Sequence, residues 1–325
     1  MQISLRLVDR RRSGLFVTIG LLLMFSGQNQ IASKRPATQK RHGTGAARRF
    51  HYIWRMGEAK KKSRKRSQIL AGEKRCIYCM DPPATVEHMP PKAIFPRSHR
   101  LSGMEYAACQ QCNHSSRAAD TAAAIMARLS PTNIVDDLEL QEARRLLATM
   151  TSIAPQFVHE LMNPRKVRPV WEKGRDAVFG PKQQIILDGP VSHALLTTFA
   201  AKIGMALYRE HVGQPLPRDG VVFTKHYLNS GLVRGEAKAI VSIMPDFGEL
   251  KQGRMGSGRL FNYRFNTDEK TIVAALVAFN DNFFVRVFAT HDEKLKLALG
   301  EVHEHPPAPV CGLSALVSLW DDQRK

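Results

Sequence analysis

The sequence predicts an α+β chain: a small cysteine-stapled strand–loop–strand–helix module, followed by a larger mixed α/β domain with an antiparallel sheet. Three observations carry this. Two Cys-x-x-Cys pairs, Cys76/Cys79 and Cys109/Cys112, bracket 29 residues. Runs rich in β-branched and aromatic residues follow one another at 259–265, 271–279 and 283–289, the last two joined by Asn280-Asp281-Asn282, a tight-turn signal. Between these regions lies a long apolar segment, 192–211, with Ser192 at its start and Gly213 after its end, the marks of a helix.

The cysteines set the first constraint. A two-residue gap lets both sulfurs of a pair turn toward one tetrahedral ion, and two pairs complete a four-cysteine zinc site. Four of the five cysteines are used in this way, and Cys311 reads as a packed or idle thiol in an apolar context. That pattern fits reduced thiolates in a cytoplasmic protein rather than disulfides.

The stretch between the pairs exceeds the roughly 15–20 residues of a simple zinc ribbon. It holds Glu87-His88-Met89-Pro90-Pro91-Lys92, and Cys112 is followed at once by Asn113. The plainest reading is a structural zinc knuckle with an incidental histidine. In combination, however, Cys-x-x-Cys, then Glu-His-x-Pro-Pro-Lys, then Cys-x-x-Cys-Asn resembles the HNH endonuclease family, in its zinc-stapled ββα-metal branch, over residues 75–129. The resemblance implies a structural zinc on Cys76, Cys79, Cys109 and Cys112, with four thiolates closing its shell. It implies His88 as the base that activates water, since an unperturbed imidazole titrates near working pH. It also implies Glu87 and Asn113 as oxygen ligands to magnesium or manganese, and DNA as the partner. Glu87 departs from the aspartate common at that position by one methylene.

Other readings stand beside these. Glu87 also reads as a salt-bridged surface acid, His88 as a packed ring and Asn113 as a helix N-cap, with His114 a substitute ligand. Lys92 and Arg117 read as phosphate contacts or as ordinary exposed bases. If the chemistry is absent altogether, the module is a non-catalytic zinc unit that binds nucleic acid or protein.

Charge points the same way as the motif. The net charge is +19, and residues 1–75 carry 19 Lys/Arg against Asp9, Glu58 and Glu73. Such a basic arm suits phosphate contacts, although a solvated tail has the same composition. The chain divides into a basic extension, 1–55, a basic arm, 56–74, the zinc module, 75–130, and an α+β domain of unknown role, 131–325. The apolar run 14–25 is 12 residues long, short of the roughly 20 a spanning helix needs, so no membrane partner is expected. Met56 reads as an alternative start, which would make residues 1–55 dispensable.

In chain order, 67–75 reads as a short helix and 85–88 as a strand that Pro90-Pro91 stops. A return strand over 106–108 delivers Cys109. An alanine-rich helix follows over 115–129, ended by Pro131, and an amphipathic one over 136–150. Strands within 171–187 are expected to turn at Gly180-Pro181, and 234–243 reads as a helix. His303-Glu304-His305 reads as tail. No P-loop, dinucleotide fingerprint or Gly-x-Ser-x-Gly elbow is present.

Overall fold

In the computed structural model, which describes residues 16–18, 63–96, 100–128, 137–173, 179–228, 234–302 and 308–309, the chain is mixed α+β. β1 (Phe16–Thr18) is followed by α1, helical across 63–72. This helix starts earlier than Ser67, whose hydroxyl donates back to the Ser63 carbonyl at 3.1 Å. β2 (Thr85–His88) and β3 (Glu105–Ala108) then form an antiparallel pair in which Glu87 faces Tyr106 and His88 faces Glu105.

α2 (Gln110–Ser115) and α3 (Arg117–Arg128) follow, then α4 (Asp137–Ile153) and α5 (Pro155–Leu161). β4 (Val167–Lys173) and β5 (Phe179–Ile186) pair antiparallel, and β1 lies along the end of β5. The expected turn at Gly180-Pro181 is corrected here. Both residues lie within β5, with Pro181 opposite Trp171. Pro181 sits beyond the reach of β1, where β5 has a single neighbour and a missing N–H is tolerated.

α6 (Pro190–Val212) organises the rest. Ser192 is not its N-cap: Gly189 holds that position, Pro190 opens the first turn, and the Ser192 hydroxyl donates to Glu160 Oε2 at 2.6 Å. Proline suits the first turn because its missing N–H would have had no helical partner. At the other end Gly213 adopts φ 81°, the left-handed cap expected of it. Its middle, from Thr198 to Tyr208, is buried on every side, as a helix that is apolar all round should be. Against it packs a six-stranded antiparallel sheet ordered β13-β6-β12-β11-β10-β7. Its members are β6 (Val221–Leu228), β7 (Asp246–Glu249), β10 (Asn262–Thr267), β11 (Ile272–Phe279), β12 (Phe283–Thr290) and β13 (Ala308–Pro309). α7 (Arg234–Ser242), the small pair β8 (Lys251–Gln252) and β9 (Met255–Gly256), and α8 (Glu293–Val302) complete the described elements.

The helix approaches the sheet closely. A Cβ on Gly204 would lie 2.5 Å from the Val222 side chain, so this position requires glycine. The Phe199 ring meets Phe279 and Phe283 with centroids 5.5 and 5.9 Å apart. The turn between β11 and β12 has Asn280 and Asp281 at φ 53° and 52°, the double left-handed geometry of a tight hairpin. Its flanking amides reach across to α3: Asn280 donates to the Ala127 carbonyl and Asn282 to the Met126 carbonyl, each at 2.9 Å. They thereby satisfy carbonyls that a helix end leaves without partners.

One apolar core runs from Cys76 through α3 and α6 to the sheet at Ala289. The residues of 75–130 and those beyond 131 are thus packed together. Polar ties cross the same line, with Tyr106 donating to Glu210 at 2.6 Å and Arg209 meeting Glu73 at 3.1 Å. Among the described residues no helix is long and apolar enough to cross a membrane. Of the basic cluster 60–66, the first three lysines lie outside the described residues and the rest open α1; Pro131, His303-Glu304-His305, Cys311 and, save for β1, residues 1–55 also lie outside them.

Candidate metal centre

The four predicted cysteines converge. Their sulfurs all lie within 4.8 Å of one another, and those of Cys79 and Cys109 are 3.6 Å apart. Four sulfurs about 2.3 Å from one ion stand about 3.8 Å from each other in a tetrahedron, so the donor set fits a metal ion such as zinc.

Local structure builds the two halves differently. The first pair sits on a turn closed by Met80 N–H to the Cys76 carbonyl at 3.1 Å, with Met80 at φ 67°. Ile77 N–H donates to the Ala107 carbonyl at 3.0 Å, which ties this turn to β3. The second pair opens α2: Cys109 is its N-cap, and its sulfur accepts from Cys112 N–H at 3.3 Å. Crowding the sulfurs splits their proton affinities. Cys76 is held down to about 5, first by the thiol of Cys112, while burial pushes Cys79 up to about 12. Cys112 is driven up by its bond to Cys76 and by burial. A cation with a thiolate shell relieves that conflict, because bound thiols give up their protons.

His88 ends β2 and is half-buried. Burial holds its proton affinity down to about 4, with Lys92, Arg100 and Lys65 adding to the effect and Glu105 opposing it. The ring is therefore neutral at physiological pH, and a weaker base than the unperturbed imidazole expected from the sequence. Lys65 meets Glu105 at 3.0 Å, which brings α1 beside the strand edge that carries His88. The loop after His88 is pinned by Arg100, whose guanidinium donates to the carbonyls of Met89, Pro90, Leu101 and Gly103 at 2.6–2.9 Å.

Glu87 and Asn113 are engaged inside the protein. Glu87 is 4% exposed. Its Oε1 accepts from His88 N–H at 3.2 Å, and its Oε2 stands 3.6 Å from the Lys202 ammonium. Burial pushes Glu87 up to about 7 against the pull of that ammonium. The reading of Glu87 as a salt-bridged surface acid is corrected in part: the ion pair is present, but with a buried lysine and inside the protein. Asn113 Nδ2 donates to Thr85 Oγ1 at 3.0 Å, which braces α2 on β2. The N-cap reading of Asn113 is corrected, since Cys109 holds that position. The Glu87 carboxylate is thus taken up by the Lys202 ammonium and the His88 amide, whereas Asn113 is held through its amide nitrogen.

Sequence reasoning missed Lys202, Asp120, Ser116 and Tyr78. Lys202 is fully buried on α6 and bonds Ser116 Oγ at 2.8 Å and both Asp120 oxygens at 2.7 Å. Its ammonium also lies 5.5 Å from the centre of the Tyr78 ring. Burial alone would lower the Lys202 proton affinity, but Asp120 and Glu87 raise it, so the group stays charged. A signal existed: Lys202 is the one charged residue between Pro190 and Tyr208.

Comparison of the chain with protein-family models, with curated proteins and with solved structures finds no match.

Proposed function

We propose that the protein is an endonuclease that hydrolyses phosphodiester bonds in DNA, with His88 activating water and a structural zinc on Cys76, Cys79, Cys109 and Cys112. The observation that carries this reading is His88 itself. It is a neutral imidazole at the end of a strand in the module that holds the four-sulfur centre, and Lys92, Arg100 and Lys65 all act on it electrostatically. The free ring is the form a base needs, although a value near 4 makes it a weak one, and basic residues nearby suit a phosphodiester.

Magnesium or manganese belongs to the same proposal and, when bound, would stabilise charge on the phosphate. The Glu87 carboxylate already faces the Lys202 ammonium, and Asn113 is tied to Thr85 through its amide nitrogen, so no step is routed through such an ion. That commitment favours a second reading, a non-catalytic zinc module that binds nucleic acid or a protein.

Nicking of supercoiled plasmid by the zinc-loaded full chain with magnesium or manganese, beside His88→Ala, separates the two. The nuclease reading expects nicking by wild type and none by a variant that keeps its zinc. Failure of both proteins on plasmid, branched DNA and RNA, with equal binding, would leave the binding module.

A further inference from the structure

We propose that Glu87, Asp120 and Ser116 form a buried cation site whose resident is the protein's own Lys202 ammonium, and that removing this ammonium leaves a site for a hard divalent ion. The inference stands whether or not the module cleaves nucleic acid.

The geometry is that of a cation in an oxygen cage. Lys202 Nζ has Ser116 Oγ at 2.8 Å, Asp120 Oδ1 and Oδ2 at 2.7 Å and Glu87 Oε2 at 3.6 Å. The oxygens come from three places: the strand β2, the junction of α2 with α3, and the first turn of α3. The cage is over-supplied with negative charge, since two carboxylates face one ammonium. Glu87 Oε2 is also buried without a hydrogen-bond partner. Two carboxylates and a hydroxyl are the hard oxygen donors that magnesium, manganese and calcium take.

Lys202 reaches these oxygens from α6, with the Tyr78 ring 5.5 Å from its ammonium, and its four-carbon stem carries the charge to them. Methionine has a chain one atom shorter and of similar bulk. Lys202→Met therefore empties the ammonium position and leaves the stem's packing in place. What remains is two carboxylates, Glu87 buried and Asp120 part-buried, with no counter-charge, which is costly unless a cation or a proton arrives.

The test is thermal unfolding of the full zinc-loaded chain at neutral pH, with zinc content measured in each sample. Lys202→Met should melt well below wild type, and manganese or magnesium should raise its midpoint toward wild type while leaving wild type unmoved. In Lys202→Met/Glu87→Gln/Asp120→Asn the cage needs no cation. That variant should melt near wild type and ignore the divalent ion. If Lys202→Met does not fold, the triple variant is compared with Glu87→Gln/Asp120→Asn, which keeps a buried ammonium without carboxylates and should be the less stable. A Lys202→Met midpoint that the divalent ion does not raise would overturn the proposal. So would a triple variant as unstable as Lys202→Met, or less stable than the double variant.

Discussion

The Lys202 ammonium lies 2.7 Å from both carboxylate oxygens of Asp120, a contact that spans 82 residues of chain and joins the middle of α6 to the first turn of α3. A fragment ending near residue 135 keeps all four cysteines and His88 but loses that cation. It also loses the two asparagine caps on α3. The fragment is expected to bind zinc without folding cooperatively. Circular dichroism through a thermal ramp checks this, and a sharp transition in the fragment would contradict it.

Zinc content is the next expectation: one ion per chain, lost in Cys109→Ser. That substitution removes a ligand and the sulfur that caps α2. Structural zinc contributes about 10–16 kcal/mol to folding in small peptides. The core here is continuous with the metal centre, so the whole melting midpoint should fall by more than about 10 °C. Metal analysis and calorimetry on the same sample decide it, and full zinc occupancy in the variant would be the contrary result.

The pH dependence of stability carries two opposed contributions. His88 is lowered from 6.5 to about 4, so the folded state resists protonation. Its contribution is present above the unfolded value and is lost as pH falls toward about 4. Glu87 is raised from 4.5 to about 7, so the folded state holds its proton. That contribution is present below 4.5 and is lost as pH rises through about 7. Urea midpoints across this range should rise with pH in Glu87→Gln and fall with pH in His88→Gln. Parallel profiles in the two variants would refute the assignment.

Arg100→Lys tests the loop between β2 and β3. A guanidinium can fork to four carbonyls at once, whereas an ammonium is a compact point charge. Leaving two of those carbonyls without donors should cost about 2–4 kcal/mol. Denaturant midpoints measure the cost, and limited proteolysis should cut the variant within 89–104 first. A lysine variant with wild-type stability would mean that the fork is dispensable.

Much of this arrangement was legible in the chain because the relevant signals are local. The Cys-x-x-Cys spacing foretold the sulfur cluster, Asn280-Asp281 the hairpin, and Gly213 the end of α6. Strand β6 went unread because Thr224, Lys225 and His226 interrupt the apolar run of Val221–Leu228. Its partner β12 supplies the pairing that holds it as a strand. The cage went unread for a different reason. Asp120 looks like a solitary acid among alanines and Lys202 like a flaw in an apolar helix. Only the tertiary approach of α6 to α3 gives each its meaning. Glu87 was noticed, but its direction was not: it is the buried residue of β2 and faces the Lys202 ammonium, which comes from a distant helix.

The reach of the hairpin tip also bears on how the protein is made. Asn280 caps a carbonyl 153 residues earlier in the chain. At about 5–20 residues per second of synthesis, α3 waits roughly 8–30 s for its last partners after its own turns have left the ribosome. The four cysteines are complete by residue 112, so metal loading can run ahead of helix completion. An ion held by those four sulfurs would thus be available to organise the first ordered region before the caps on α3 arrive.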